Sequence, residues 1–223
     1  MIVTMRTKVV LIILSLLYIA ANTLNADENY QLARLHYTGG GDWYNDPDAI
    51  PNLVNFLNDN ISTSFSTSQA VVKATQPNLF DYPFIFMTGH GNILFSDQEV
   101  HQLRDYLLRG GFLYADDDYG MDEAFRREIR KIFPDRQLIE LPASHEIFNC
   151  YYSFPKGIPK IHEHDGKRPQ AFAVFDDYGR MMVLYTYETN VSDGWSEAHD
   201  NPPEVVEQAF EMGANMMYYL MAK

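Results

Sequence analysis

Cysteine is all but missing from this sequence. Cys150 stands alone, so no disulfide forms within the chain, and stability has to come from the core. Basic residues are also scarce, with 17 Lys and Arg against 30 Asp and Glu and a net charge of −13. A surface of that sign repels phosphate backbones and anionic headgroups, which excludes nucleic acid and peripheral membrane partners. It tolerates divalent cations and neutral ligands. Several sequence signatures are absent too. There is no Gly-x-Ser-x-Gly nucleophile elbow, no phosphate loop ending in Gly-Lys-Ser/Thr, no dinucleotide fingerprint and no internal repeat.

Long apolar runs are lacking as well. The one at the N-terminus, Val9 to Ala21, has 13 residues, whereas a membrane-spanning helix needs about 20. Arg6 and Lys8 precede it, and a short polar stretch ending at Ala26 follows, which is the layout of a secretory signal. We therefore expect residues 1–26 to be a signal peptide and 27–223 to form one exported α/β domain, periplasmic or extracellular. No stable membrane anchor is expected after cleavage. Loss of the leader removes two bases and no acid, taking the net charge to −15. The aromatic content of 14% argues for a substantial core in what remains.

Short apolar runs then alternate with amphipathic helical stretches, the pattern of a mostly parallel sheet covered by helices. Strands are expected at Gln31–Tyr37, Ala70–Ala74, Phe84–Thr88, Phe112–Ala115 and Gln137–Leu141. A hairpin is expected from Ala171–Phe175 and Met181–Tyr187. Ile50, Leu53, Val54 and Leu57 at i, i+3, i+4 and i+7 mark the first helix after Asp46-Pro47. Pro51 either delays that helix or removes one of its backbone bonds. Ser96 and Glu99 form a capping box for the second helix, and Gly110-Gly111 ends it. A third helix spans about Asp122–Phe133. A last helix follows Asn201-Pro202, with Val205, Val206, Ala209, Phe210, Gly213 and Met217 as its stripe. Residues 142–169 form a long proline-punctuated segment of the kind that carries function.

Ligands in open α/β sheets bind beyond the carboxyl ends of the strands, and polar residues gather at those places here. Gly40, Gly41, Asp42 and Trp43 follow the first strand. Gly89, His90 and Asn92 follow the third, Asp116, Asp117 and Asp118 the fourth, and His145 the fifth. The glycine run is either a tight turn or a cradle of backbone N–H groups for an anion. Three adjacent carboxylates need a cation, a base or a shared proton, unless they serve only to cap a helix. His162 and His164, two apart, share one side of an extended segment and can join a metal shell.

From these residues we assign Gly40, Gly41, Asp42, Trp43, Gly89, Asn92 and Asp117 to ligand binding. His90 and Asp116 are the candidate acid–base groups. Asp118, His145, His162 and His164 are the candidate ligands of a divalent metal. The leading functional expectation is a non-catalytic module that binds a small molecule or an envelope protein. The alternatives are a metal-assisted hydrolase of an envelope carbohydrate or peptide, and a purely structural interaction protein.

The blocks Gly39–Pro47, Met87–Ser96, Gly110–Gly120, Pro159–Gly166 and Asp193–Glu204 resemble a family of exported bacterial proteins known as domain of unknown function 4159. The resemblance runs from about Tyr30 to the end of the chain. That family is in turn similar to the class I glutamine-amidotransferase-like superfamily, near its trehalose-utilisation-like group. This implies a three-layer, flavodoxin-like architecture with helices on both faces of the sheet. The superfamily's nucleophilic cysteine has no counterpart here, because Asp116–Asp118 occupy the elbow position, so the resemblance does not imply amidotransferase activity.

Overall fold

A computed structural model of the protein describes residues 30–222, so the expected leader lies outside the described residues. Seven strands form one sheet: β1 (Ala33–Leu35), β2 (Ala70–Val72), β3 (Phe84–Met87), β4 (Phe112–Asp116), β5 (Ile139–Glu140), β6 (Gln170–Phe175) and β7 (Met181–Tyr187). Their order is β2-β1-β3-β4-β7-β6-β5. The first five strands in that order run parallel, and β6 and β5 are each antiparallel to the neighbour before them. The beginning of the order, 2-1-3-4, is flavodoxin-like, and the direction of progression reverses between β1 and β3. Among the described residues no helix is long and apolar enough to cross a membrane.

Among the described residues four helices cover the sheet: α1 (Ala49–Asn60), α2 (Asp97–Leu108), α3 (Asp122–Ile132) and α4 (Pro203–Ala222). Strand side chains alternate between the faces, which divides the core in two. Phe84, Phe86, Phe112 and Tyr114 pack with α1 and α4 around Trp195. Ile85, Met87, Leu113 and Ala115 pack with α2 and α3. The expected three-layer α/β architecture is therefore present.

Local chemistry accounts for the helix ends. The Ser96–Glu99 capping box is complete in both directions, and Gly110, at φ +113°, lets the chain leave α2. Pro51 lies in the first turn of α1, where its missing N–H has no partner to lose, so the helix neither starts late nor forgoes a bond. Of the expected stripe of α4, Ala209, Gly213 and Met217 are buried and Val205, Val206 and Phe210 are half-buried. Met212, Ala214, Asn215, Met216 and Tyr219 are buried as well, so the second half of the helix is covered on a wider face.

The expected hairpin forms, and within it β7 enters beside β4 as a central strand buried along nearly its whole length. The fifth strand shrinks to Ile139–Glu140 and lies at the far edge, three positions from β4. The segment that follows β7, residues 188–195, consequently occupies the same carboxyl edge as the ends of β1, β3 and β4.

Close packing holds that segment in place. The Trp195 indole donates to the Ala209 carbonyl at 2.8 Å and wedges against Gly213 of α4. A Cβ on Gly194 would stand 2.3 Å from the Cβ of Ala209. Gly194→Ala is expected to destabilise the fold by about 1–3 kcal/mol through overpacking. A lower urea midpoint at unchanged m-value would show it.

Candidate functional site

The site begins beneath the surface with Arg34 of β1. This buried guanidinium donates to the carbonyls of Trp43, Asn45 and Asp46 at 3.1, 2.5 and 2.7 Å. Burial lowers its pKa to about 10, and Asp46 and Asp48 oppose that shift. The fork of donors fixes the turn before α1, where Asp46 sits at φ +49°. Glu188 and Asn190, after β7, also have positive φ, at +58° and +55°. Non-glycine residues in that region are costly and cluster at functional sites.

Four carboxylates converge at this edge. Asp42, after β1, meets His90, after β3, where the strand order reverses. Its Oδ2 is 3.0 Å from His90 Nδ1, and its other oxygen accepts the His90 backbone N–H. Burial pushes the Asp42 carboxyl up, but the hydrogen bonds from His90 outweigh it and hold the group below the usual carboxylate range. His90 Nδ1 also lies 3.3 Å from Asp118 Oδ2. Asp118 is buried and accepts from the amides of Asn45 and Asn190. The same Asn190 amide donates to Asp193 Oδ2 at 2.6 Å. His199 Nε2 is 2.9 Å from Asp46 Oδ1 and 3.5 Å from Asp193 Oδ1. Burial, then the charges of Asp118, Asp46 and Asp116, push the Asp193 carboxyl well above its ordinary value. Among the described residues no lysine or arginine forms an ion pair with any of the four.

The Asp116-Asp117-Asp118 run divides between the faces of the sheet. Asp116 ends β4 and is fully buried, with its carboxylate accepting from the Thr186 hydroxyl and, at 2.6 Å, from the Ser192 N–H. Burial raises its pKa to about 6. With both oxygens committed and no exposure, its geometry suits holding residues 190–193 in place better than transferring a proton to a ligand. Asp117 points to the other face and accepts the Met121 N–H at 2.8 Å, at the start of α3. Burial raises its pKa to about 7, with further pushes from Asp122, Asp116 and Asp118.

The other expected residues divide in the same way. His162 and His164 do reach this edge. Their backbone is tied to the end of β7 by the His162 N–H to the Thr189 carbonyl at 2.9 Å. The His162 ring centroid is 6.4 Å from that of His199, and His164 stacks on Tyr119. Burial and the neighbouring His162 lower the pKa of His164. His145 does not join them, because its ring lies among Phe148, Phe175 and Tyr219 beyond the far strand.

The glycine run is a turn packed on residues 92–94, with the Gly41 N–H spent on the Asn92 carbonyl and the Asn92 amide on the Gly39 carbonyl. Gly40 stands in open space. At Gly89 a Cβ would lie 2.6 Å from the Tyr37 hydroxyl and 2.8 Å from the Asp42 carboxylate, so the Asp42–His90 contact needs glycine there. Trp43 stacks on His36, with centroids 4.1 Å apart.

Asp46, Asn190, Asp193 and His199 escaped the reading by strand ends. Three of them follow β7, which the sequence marks as half of a hairpin without revealing its pairing with β4. The signal available was the pair of blocks Gly39–Pro47 and Asp193–Glu204, which carry Asp46, Asp193 and His199 together.

Beside the carboxylates, on the α3 face, opens a cavity of about 450 Å³, lined by residues that include Asp117, Tyr119, His164, Lys167, Tyr187 and Glu188. Asp117 has a folded pKa of about 7 against an ordinary 3.8, so between those values the native chain holds a proton that the unfolded chain has released. Its contribution to stability therefore falls as pH rises from about 4 to about 7. Asp117→Asn keeps an oxygen for the Met121 N–H and carries no charge. We expect its melting temperature to match the parent near pH 4 and exceed it at pH 8, by an amount equivalent to roughly 1–3 kcal/mol. Equal pH dependence in both proteins would overturn this assignment.

A search of curated proteins finds no match to this chain. A family model does match, over residues 31–221, and the chain thereby belongs to the family described as domain of unknown function (DUF4159).

Proposed function

We propose that this is an exported binding protein, on an amidotransferase-like fold, that holds a neutral, hydroxyl-rich ligand such as an envelope glycan at the carboxyl edge of its sheet. The observation that carries this reading is the 450 Å³ cavity beside the carboxylate network. Carboxylates, a lysine and an imidazole in its walls offer donors and acceptors for hydroxyl groups. The rings of Tyr119 and Tyr187 offer flat apolar faces. Asp117, Asp122, Glu123, Asp165 and Glu188 make the lining predominantly acidic, which disfavours phosphorylated and other anionic ligands. Tyr119, about half exposed, is the ring most available for stacking.

A second reading, metal-assisted hydrolysis, is favoured by one contact. Asp42 orients His90 through Nδ1 and leaves Nε2 without a partner among the described residues, on a ring that is 49% exposed. A carboxylate-oriented imidazole of this kind is suited to general acid–base work.

Neutral oligosaccharides from cell envelopes, titrated against the protein, are expected to raise its melting temperature. Tyr119→Ala should weaken that binding about tenfold while leaving the fold intact. If no oligosaccharide shifts the melting temperature, the binding reading fails. If one is instead cleaved, with His90→Ala abolishing turnover but not binding, the hydrolase reading replaces it.

A further inference from the structure

We propose that Asp46, Asp193 and His199 form a binding site for a divalent transition-metal ion of the zinc or manganese type. This deepens the reading above, since it concerns the same edge and rests on that edge being a ligand site.

The first ground is geometric. One donor atom from each of the three residues lies within 4.8 Å of the others. His199 Nε2 stands 2.9 Å from Asp46 Oδ1 and 3.5 Å from Asp193 Oδ1. A tetrahedral zinc site with bonds of about 2.1 Å separates its donors by about 3.4 Å, and an octahedral one by about 3.0 Å. The observed spacings span those values, so little movement separates this arrangement from a coordinated one.

The second ground is independent of the clustering. Asp193 is 2% exposed, and its Oδ1 has no hydrogen-bond partner, although Asn190 engages its other oxygen. Asn190 itself is fully buried, and its Oδ1 is also unpartnered. A buried acceptor without a donor gives up its hydration with nothing in exchange, at greater cost when it is charged. The Asp193 oxygen lies 3.5 Å from the His199 imidazole and has no lysine or arginine ion pair among the described residues, so a bound cation would satisfy it.

The third ground is how the ligands are held. Asp46 accepts at Oδ2 from the Asn45 amide at 3.0 Å, and the Arg34 fork fixes its backbone. Asp193 is fixed at Oδ2 by Asn190. In each carboxylate one oxygen is anchored and the other faces His199, which is how supporting contacts orient metal ligands. The mixed carboxylate and imidazole donors suit zinc or manganese better than calcium, which prefers oxygen alone. His199 is the most exposed of the three, with 28% of its side chain accessible, so an ion reaches the site past this ring. The exposed His162 ring stands next in line and can supply a further nitrogen.

The test uses the whole chain, purified without an affinity metal, treated with chelator and titrated calorimetrically with zinc chloride and manganese chloride. We expect about one ion per chain, a higher melting temperature with metal, and affinity lowered at least about 100-fold in His199→Ala and in Asp193→Asn. His145→Ala, remote from the site, should bind like the parent. Asp193→Asn keeps the side-chain shape and an oxygen for the Asn190 amide, so its metal-free melting temperature should not fall. Loss of binding with retained folding then separates loss of a ligand from loss of structure. Absence of saturable binding by either ion, or binding unchanged in both site variants, would overturn the inference. The oligosaccharide titration, repeated on chelator-treated protein, separates the two proposals. Oligosaccharide binding without metal binding leaves the function standing and removes the metal. Metal binding without any oligosaccharide response does the reverse.

Discussion

Keeping several carboxylates out of water at one edge of a sheet is the constraint around which this structure is arranged. Asp46, Asp116, Asp118 and Asp193 are each at most 4% exposed, and an isolated buried carboxylate costs several kcal/mol. The chain offsets that cost with donors drawn from every neighbouring segment. The Thr186 hydroxyl comes from β7, the Ser192 N–H and the Asn190 amide from the loop after it, and the Asn45 amide from the turn before α1. His90 and His199 come from the loops after β3 and before α4. Each donor ties its own segment to the edge, so the network fixes the relative placement of these loops as much as the core does.

Arg34 belongs to the same arrangement from below. Among the described residues its guanidinium forms no ion pair with a carboxylate and is spent instead on the carbonyls of Trp43, Asn45 and Asp46 and on the Gln69 side chain. That choice matters for function. Paired directly with Asp46, the arginine would have neutralised the edge. Bonded to carbonyls, it shapes the turn and leaves the carboxylates available to something else. The positive φ of Asp46, Glu188 and Asn190 costs about 1–3 kcal/mol each. Such conformations persist only where the surroundings over-determine them, as the contacts of Arg34, Asn190 and Lys160 do here.

Most of the architecture was legible in the sequence because it rests on local signals. The α1 stripe, the capping box of α2, the double glycine behind it and the buried run of β4 each depend on a few adjacent residues. The convergence of Asp42, His90 and Asp118 was legible for a related reason, since parallel strands deliver their carboxyl ends to one side. What stayed hidden depends on pairing between distant segments. Nothing local in Met181–Tyr187 says that it inserts beside β4 rather than extending an edge, and the positions of Asn190, Asp193 and His199 follow from that insertion. His145 misled for the opposite reason. It follows a strand as expected, but β6 and β7 intervene between that strand and β4.

The three consecutive aspartates show how strand geometry turns one sequence feature into two chemical environments. Asp116 continues the alternation of Phe112 and Tyr114, so it falls on the α1 and α4 face with the buried network. Asp117, one residue on, falls on the α3 face and closes the 450 Å³ cavity. The two groups are adjacent in the chain, yet Asp116 answers to Ser192 and Thr186 and Asp117 to Met121 and the cavity. The cavity and the network nonetheless remain in electrostatic contact through the end of the strand, because Asp118 and Asp116 both raise the Asp117 carboxyl. The end of β4 is thus where the buried network and the cavity wall meet, one residue apart in the chain and on opposite faces of the sheet.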